Sequence, residues 1–395
     1  MALAKQRIEG RLSVTVVVPT YREVDNLPHL ITRLEKVRAA SGLNLELLIM
    51  DDDSRDGSDQ LVRDWVLPWV TLVTLKGPRS LSSAVLDGLR RSNREFLVVM
   101  DADLSHPPET IPELLQVVMR GADIAVGSRF VEGGSTADDW GLFRWMNSRI
   151  ATLLALPLTT IRDPMSGFFA LRCETLNAAE DLQPVGYKVL LEIIVKCKCR
   201  LVVEVPIHFG NRHFGVSKLT LGEQLKYLKH LRRLYTFRYG NWSHLAQFLV
   251  VGSSGVIVNL LTLNLLLRWP LGVDEAVVAA ILVSLSWNFL LNRRFSFSYA
   301  RRESMVSQFG KFAVACSAGA LVNYLVTTRL WSAASHTQWA AIAGILAGTL
   351  FNFTASRYLV FRARHFSRST RDGNDAMAPS AGPCDGSPQS ARSPK

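Results

Sequence analysis

The stretch FLVVMDADLSHPPETIPELL, residues 96–115, decides how the first half of the chain folds. Its apolar run from Phe96 to Met100 predicts a strand that is buried on both faces. That strand leads directly into two carboxylates one residue apart, Asp101 and Asp103. Because an unpaired buried carboxylate is costly, a pair at the tip of a buried strand requires a positive counter-charge.

The sequence around this stretch alternates between strand and helix patterns. Strand-like runs such as VTVVVP (14–19) and LELLIM (45–50) are separated by helical segments such as NLPHLITRLEKVRAA. Thr110 and Glu113 have the spacing of a capping box at the start of a further helix. The alternation predicts an α/β fold with a mainly parallel sheet covered by helices, in which ligands bind beyond the carboxyl ends of the strands.

Carboxylates follow the strands at that edge of the sheet, including Asp52, Asp101 and Asp103. The sequence has neither G-x-G-x-x-G after its first strand nor a P-loop motif, which disfavours dinucleotide enzymes and P-loop phosphotransferases. A hard divalent cation takes few protein oxygens and completes its shell with phosphate oxygens. Asp101 and Asp103 therefore predict a metal site for a diphosphate, whereas Asp53 and Asp56 are equally well explained as helix caps.

Seven motifs extend this pattern. In chain order they are VVVPTYREVDNL, MDDDSRDGS, MDADLSHPPE, GSRF, DPMSGFFALR, GYKVLLEI and EVPIHFGNRHFGVSKL. The series, over about residues 14–235, resembles the family 2 glycosyltransferases of the GT-A fold, and more narrowly the dolichol- or polyprenyl-phosphate mannose synthases. The resemblance implies transfer of one hexose from a nucleotide sugar to a lipid phosphate, with Mg²⁺ or Mn²⁺ as cofactor.

The resemblance also implies roles for individual residues. The nucleotide base and ribose would be held by Pro19, Tyr21, Glu23 and Asp52, and a carboxylate is a suitable acceptor for the N–H edge of a base. Residues 101–103 (Asp101, Ala102 and Asp103) would hold the metal and the diphosphate. Many relatives have Gln where Ser105 stands, so the shorter Ser105 would bind the metal directly or through a water.

Basic residues complete the implied site. Phosphate oxygens of the donor and the acceptor would be bound by Arg129 in GSRF, Arg144 in GLFRWMNSR, and Arg212 and Lys218 in NRHFGVSKL. Together with Asp103, these four are the predicted catalytic residues.

The acidity of the acceptor decides whether a general base is needed. A phosphate monoester has its second pKa near about 6 and is already mostly dianionic at neutral pH. We therefore predict direct displacement with inversion and no essential general base. Asp163 and Glu192, which the family pattern places near the acceptor, are the carboxylates on which that prediction is best tested.

The second half of the chain is apolar. Residues 245–267 carry no charge, and similar runs cover about 276–291, 312–328 and 338–355, which predicts four transmembrane helices. The segment 247–259 matches 311–323, so that Asn259 corresponds to Asn323 with an offset of 323 − 259 = 64. NFLLNRRFSF (288–297) matches NFTASRYLVF (352–361) at the same offset. The region is predicted to be two copies of a helical hairpin, and it resembles GtrA-like membrane domains.

Charge predicts the orientation of these helices. The net charge is +11, but arginines concentrate between the hairpins and after the last one, whereas the two hairpin tips carry almost none. By the positive-inside rule both ends and the catalytic half face the cytoplasm, and nucleic acid is not an expected partner. Four asparagines at membrane depth would either join helices or line a lipid headgroup path: Asn259, Asn288, Asn323 and Asn352.

Four segments are predicted: a catalytic GT-A domain (1–218), an amphipathic interfacial helix and linker (219–243), a membrane domain (244–363) and a disordered tail (364–395). The expected reaction is mannose transfer from GDP-mannose to polyprenyl or dolichyl phosphate. The alternatives are a glucosyltransferase that uses UDP-glucose and a non-catalytic lipid-sugar translocator or scaffold. A processive polysaccharide synthase is disfavoured because GLFRW lacks the Gln of the Gln-x-x-Arg-Trp motif.

Overall fold

A computed structural model describes residues 12–77, 79–137, 142–179, 182, 188–210, 221–269, 272–300, 304–331 and 337–361. The predicted roles of Arg212 and Lys218, and the predicted disordered tail, fall outside these residues. The described chain forms two compact units that divide between Arg238 and Tyr239. The first unit contains the sheet, and the second contains the apolar helices.

The strands of the first unit follow the predicted order. Those described are β1 (Ser13–Thr20), β2 (Asn44–Asp51), β3 (Val70–Thr74), β4 (Phe96–Val99), β5 (Ile124–Ser128), β6 (Ser135–Thr136), β7 (Phe169–Arg172), β8 (Val202–Pro206) and β9 (His208–Phe209). The helices described in this unit are α1 (Leu27–Ser41), α2 (Ser58–Trp65), α3 (Leu81–Arg91), α4 (Ile111–Met119), α5 (Leu142–Ala155), α6 (Cys173–Asn177), α7 (Val189–Lys196) and α8 (Leu221–Tyr239).

Seven strands form one sheet in the order β3-β2-β1-β4-β7-β5-β8. The pairs β1–β2, β1–β4, β2–β3 and β5–β8 are parallel, which confirms the predicted mainly parallel sheet. Only β7 runs antiparallel to its neighbours β4 and β5. It is formed by the end of DPMSGFFALR, where the sequence alone did not predict a strand. β6 and β9 form a separate short parallel ladder.

Helices cover both faces of the sheet. Val14, Val16 and Val18 of β1 pack with residues of α1 and α4 in one apolar cluster. Val17, on the opposite face, packs with residues of α3 and α7 in another. Burial on both sides explains why β1 and β4 are continuous apolar runs instead of alternating ones.

The predicted capping box at Thr110 does not form. Pro108–Thr110 make a short 3-10 turn, so Thr110 has φ −83° and ψ −12°, and its side chain makes no capping hydrogen bond. An N-cap residue normally has an extended backbone, from which its oxygen reaches the first free N–H groups. The 3-10 turn continues into α4 and leaves no such position.

The apolar face predicted for the interfacial helix is divided. Leu231 and Leu234 of α8 are buried in a cluster with Ala155, Leu158 and Leu191 of the first unit. The Tyr227 hydroxyl also donates to the Ala151 carbonyl at 2.7 Å. Leu225 and Leu228, among the described side chains of α8, remain exposed, so an interfacial role of this helix remains a prediction.

The helices of the second unit confirm the predicted spans. They are α9 (Asn241–Leu266), α10 (Val273–Leu291), α11 (Met305–Trp331) and α12 (Thr337–Ala355). In the described part of the chain, four helices are long and apolar enough to cross a membrane. Single π-helical turns extend α10 over Asn292–Ser296 and α12 over Ser356–Val360. These turns occupy equivalent positions of the predicted repeat.

Equivalent glycines and asparagines bring the two helices of each hairpin together. A Cβ at Gly255 of α9 would overlap the Asn288 amide of α10, and a Cβ at Gly319 of α11 would overlap the Asn352 amide of α12. Asn259 also donates to the Ser284 hydroxyl, at 3.5 Å. These contacts support the helix-joining interpretation of the membrane asparagines.

Candidate functional site

The site lies where the order of the sheet reverses. β1 pairs with β2 on one side and with β4 on the other. The connections from these strands leave in opposite directions, which opens a crevice beyond their carboxyl ends. Tyr21 directly follows β1, Asp52 directly follows β2, and Asp101 follows β4 after one intervening residue, Met100.

On the β1–β2 side, the predicted nucleotide residues contact the start of α3. Asp52 Oδ2 accepts a hydrogen bond of 3.0 Å from the Ser80 amide. Ser80 is the N-cap of α3, and its Oγ accepts from the Ser83 amide. The Arg79 guanidinium lies over the Tyr21 ring, 4.2 Å from its centroid. Arg79 was missed from the sequence, where its one signal is its position next to an N-cap serine.

The neighbouring aspartates maintain the loops. Asp51 accepts hydrogen bonds from the Thr20 hydroxyl and the Ser54 amide. Asp56 accepts from the Val24 amide and from Ser58 at the start of α2. Asp56 therefore stabilises the loop before α2, whose N-cap residue is Gly57 and not Asp56.

Asp53 differs from Asp56 because it pairs with the exposed Arg55, which lowers the Asp53 pKa through a side-chain hydrogen bond. Of the other predicted nucleotide residues, Pro19 is buried within β1, and the Glu23 carboxylate accepts a hydrogen bond from the side-chain Nδ2 of Asn26. Beside them is an open cleft of about 670 Å³. It is lined by Arg22, Val24, Asp25, Asp53, Ser54, Arg55, Asp56 and Arg79.

The Asp-x-Asp segment forms a tight turn after β4. The Asp101 side chain is 34% exposed, whereas Asp103 is buried and accepts a 3.1 Å hydrogen bond from the Ser105 amide. Leu104, which lies between Asp103 and Ser105, has φ +62°, a left-handed conformation that is strained for a side chain of this size. Strain of this kind persists where the surrounding structure holds it, and it concentrates at functional sites. Ala102 is buried beneath the turn.

His106 supports this turn from below. Its ring is buried, with the Phe168 and Phe209 rings each 5.3 Å away. The Asp101 amide donates to His106 Nδ1 at 3.2 Å, so the neutral ring carries its proton on Nε2. Burial lowers the His106 pKa, and the nearby Asp101 and Asp103 charges oppose that shift only in part. His106 is therefore a neutral positioning residue for the Asp101 backbone.

The donor atoms of this turn fit a divalent cation. Among the described residues there is no group of three or more His, Cys, Asp or Glu side chains that could hold a metal alone. Asp101 and Asp103 provide two carboxylates, and the buried Ser105 hydroxyl has no hydrogen-bond partner. Two carboxylates and a hydroxyl suit a hard cation that takes its remaining ligands from substrate phosphates.

Arg129, the predicted phosphate-binding residue at the end of β5, forms an ion pair with Asp163. Its Nη2 lies 2.7 Å from Asp163 Oδ1, its Nε lies 2.7 Å from Asp163 Oδ2, and its own amide donates to the same carboxylate. Asp163 is fully buried, and its amide donates to Glu204 of β8. Asp163 is therefore the counter-ion of Arg129 in this structure. The phosphate contact of Arg129 and the place of Asp163 near the acceptor remain predictions.

The remaining predicted residues are placed as follows. Arg144 lies in α5, but its side chain is outside the described part of the structure. Glu192 is buried in α7, 2.7 Å from Lys196 Nζ and 4.0 Å from His230 Nδ1. These contacts give Glu192 a structural role between α7 and α8.

Lys188, which precedes α7, was also missed from the sequence. Burial, reinforced by the Arg129 charge, lowers the pKa of its ammonium to about 8. Asp163 and Asp101 act on it in the opposite direction, so Lys188 lies near both carboxylates. In the sequence Lys188 is simply one lysine within the motif GYKVLLEI.

A parallel sheet with two aspartates at its switch point, followed by four apolar helices, defines a membrane glycosyltransferase of the GT-A class. The family model "Glycosyl transferase family 2" matches residues 15–178, and "GtrA/DPMS, transmembrane domain" matches residues 247–364. The chain therefore belongs to glycosyl transferase family 2, with a GtrA/DPMS membrane domain, and is an integral membrane enzyme.

The chain is also similar to individual proteins of known name. The chain is 37% identical over 355 residues to a dolichol-phosphate mannosyltransferase of Pyrococcus furiosus, covering 89% of this chain and 99% of that protein. It is 39% identical over 237 residues to one of Mycosarcoma maydis, covering 58% and 81%. Among solved structures, glucosyl-3-phosphoglycerate synthase of Mycobacterium tuberculosis with Mn²⁺, UDP-glucose and glycerol 3-phosphate matches with a TM-score of 0.44 at 17% identity. That match covers 58% of this chain and 80% of the other.

Proposed function

We propose that the protein transfers mannose from GDP-mannose to the phosphate of a polyprenyl or dolichyl lipid, with inversion, on the cytoplasmic face of the membrane. The observation that carries this proposal is the 37% identity to a dolichol-phosphate mannosyltransferase, because it extends over 89% of the chain and so includes both units. A similarity confined to the sheet would support only a nucleotide-sugar enzyme of unspecified acceptor.

The residues at the switch point have roles that follow from their chemistry. The ring of Tyr21, with Arg79 over it, offers a stacking surface for a nucleoside. Asp52 is fixed by Ser80 and is oriented to accept hydrogen bonds from the donor. Asp101, Asp103 and Ser105 would hold the divalent metal, Mg²⁺ or Mn²⁺, which supplies positive charge for the departing diphosphate.

The acceptor side requires cations and no strong base. An incoming phosphate dianion is repelled by the Asp101 carboxylate unless positive groups compensate. The Lys188 ammonium, whose pKa Asp101 influences, is such a group, and we assign the same purpose to Arg144, Arg212 and Lys218. His106 is buried, and its Nδ1 already accepts the Asp101 amide, so it is unsuited to remove a proton from the acceptor.

The cytoplasmic assignment rests on charge. Arg293 and Arg294 follow the second helix of the first hairpin, and Arg357 follows the equivalent helix of the second. Basic residues at the ends of spans favour the cytoplasmic side. Since each hairpin returns to the side where it began, the catalytic unit before α9 belongs on that same side.

The decisive experiment supplies two donors in parallel. The full chain in detergent, with polyprenyl phosphate and Mn²⁺ or Mg²⁺, receives either GDP-mannose or UDP-glucose, and the sugar lipid is measured. We expect a β-linked mannosyl lipid that forms at least tenfold faster than any glucosyl lipid, with the product lost in EDTA. A preference for UDP-glucose would contradict the proposal that GDP-mannose is the donor. Release of the sugar without a lipid product would contradict the proposal that a lipid phosphate is the acceptor.

A matched pair of variants completes the experiment. Asp103→Asn removes one carboxylate of the turn and should lower the transfer rate at least a hundredfold. Asp87→Asn removes an exposed carboxylate of α3 that pairs with Arg91, and it should leave the rate unchanged. Equal transfer rates for the two variants would show that Asp103 is not part of the catalytic site.

A further inference from the structure

The second unit has an internal two-fold pseudosymmetry that can be measured in its aromatic core. Three pairs of buried rings are equivalent at the repeat offset of 64 residues: Phe248 with Phe312, Phe289 with Phe353, and Phe297 with Phe361. Equivalent contacts have nearly equal centroid distances. Phe248–Phe353 and Phe289–Phe312 are both 5.7 Å, and Phe248–Phe297 and Phe312–Phe361 are 6.4 and 6.2 Å.

The pseudosymmetry axis passes between two stacked rings. Phe297 and Phe361 are equivalent to one another and stack at 4.9 Å with an interplanar angle of 16°. Each follows a π-helical turn that is closed by an equivalent hydrogen bond of 2.8 Å, from Phe297 to Asn292 and from Phe361 to Ser356. π-Helical turns cost regular helical bonding and occur frequently at functional sites.

The symmetry is broken at one pair of arginines in these turns. Arg293 Nε donates to Gln308 Oε1 at 2.8 Å, which links the first copy to the second. The equivalent residues are Arg357 and, since 308 − 64 = 244, His244. His244 does not take the place of Gln308, because its Nδ1 donates to the Ser296 carbonyl at 2.7 Å.

Arg357 consequently lacks the partner that Arg293 has. Its Nε and Nη1 are buried and have no acceptor among the described residues. The guanidinium lies 5.7 Å from the centroid of the Tyr358 ring, and its charge also acts on the Tyr299 hydroxyl. Neither of these groups is an anion. Arg357 as a whole is half-buried, but two of its three guanidinium nitrogens are buried without an acceptor. Because burying charged N–H groups without acceptors is unfavourable, this guanidinium favours an anionic ligand.

Ser356 provides a second unsatisfied donor beside Arg357. Its side chain is fully buried, and its hydroxyl has no hydrogen-bond partner among the described residues, which is also true of Ser296 in the first copy. Hydroxyls in regular helix, including those of Ser254, Ser284 and Thr354, donate to carbonyls of the preceding helical turn. The π-helical turn therefore leaves Ser356 without the usual local acceptor, next to a cation in the same condition.

We propose that Arg357 and Ser356 bind the phosphate group of a lipid. Arg357 follows the apolar part of the span Trp339–Val360, which is the depth at which lipid phosphates lie. A guanidinium and a hydroxyl are suitable donors to phosphate oxygens. The proposed site consists of residues of the second unit and requires neither nucleotide nor metal.

Binding is tested on the full chain in detergent without any nucleotide sugar. The probes are a polyprenyl phosphate, phosphatidylglycerol and the uncharged polyprenol, and binding is measured by native mass spectrometry. We expect Arg357→Gln to weaken phosphate-lipid binding at least tenfold and leave polyprenol binding unchanged. Arg294→Gln, which removes an exposed charge in the equivalent π-helical turn, should change neither. A loss restricted to one phosphate lipid would identify the source of the ligand.

A second variant tests the site without removing the arginine. His244→Gln places in the second copy the residue that satisfies Arg293 in the first, so it should occupy Arg357 and weaken phosphate-lipid binding while retaining the fold. If both Arg357→Gln and His244→Gln bind the phosphate lipids within twofold of wild type, the proposal is wrong. Because no donor sugar is present, this result is independent of whether the enzyme transfers mannose.

Discussion

Arg129 and Asp163 form a two-point ion pair, with both contacts at 2.7 Å. The pair joins the end of β5 to the loop before β7, and the guanidinium also lies 5.1 Å from the centroid of the Phe209 ring. Asp163 is fully buried and the Arg129 side chain is 11% exposed, so little solvent screens the pair. The ion pair fixes the positions of the Arg129 and Asp163 charges, both of which act on Lys188.

Removing one partner of this pair should destabilise the protein. Asp163→Ala leaves the Arg129 guanidinium buried without its counter-ion, which costs about 3–5 kcal/mol. Glu109→Ala breaks the exposed Arg33–Glu109 pair and should cost less than about 1 kcal/mol. Thermal unfolding of the two variants in detergent compares these losses, and equal melting temperatures would show that the buried pair contributes no more than the exposed one.

Ser105 should affect metal affinity more than turnover. Its buried hydroxyl has no hydrogen-bond partner, so Ser105→Ala removes only a metal-directed contact worth about 0.5–1.5 kcal/mol. The Mn²⁺ concentration for half-maximal transfer should rise about two- to tenfold, with little change at saturating Mn²⁺. Ser41→Ala, whose hydroxyl donates to Val37 in α1, is the control. An unchanged Mn²⁺ dependence would exclude Ser105 from the metal site.

Lys188 should make stability depend on pH in the alkaline range. Its pKa is lowered to about 8 from 10.5, so between these values the folded state binds fewer protons than the unfolded state. The free energy of unfolding therefore rises with pH through this window. Below pH 8 the full cost of keeping the charged Lys188 ammonium in the folded state is present. Lys188→Met should raise the melting temperature at pH 7, and its advantage over wild type should shrink by pH 10. A constant difference across this range would contradict the lowered pKa.

The glycines of the hairpins should resist substitution in both copies. Gly255→Ala and Gly319→Ala place a methyl group on the Asn288 and Asn352 amides, and overpacking of this kind costs about 1–3 kcal/mol. Gly252→Ala has open space around the new methyl group and serves as the control in α9. In thermal unfolding, Gly255→Ala and Gly319→Ala should both have lower melting temperatures than Gly252→Ala. If all three melt together, the close helix contact does not contribute to stability.

The features predicted correctly from the sequence are those with a local or repeated pattern. The apolar run before Asp101 indicated β4, and the recurrence of 288–297 at 352–361 indicated two similar hairpins. The Arg129–Asp163 pair could not be predicted in this way, because 34 residues separate its members and tertiary packing alone brings them together. The lowered pKa of Lys188 and the stacking of Arg79 on Tyr21 likewise depend on neighbours from distant segments.

The stacked Phe297 and Phe361 rings have a consequence for how this membrane unit was able to diversify. Two separate hairpins packed about such an axis would form a homodimer, in which every substitution occurs twice. Fusion into one polypeptide removes that constraint, so one half can keep the bonds that hold the assembly together while the other half loses them. Gln308 and His244 differ in this way. Gln308 accepts a hydrogen bond from Arg293. His244 bonds to Ser296 instead, which leaves Arg357 for the proposed lipid.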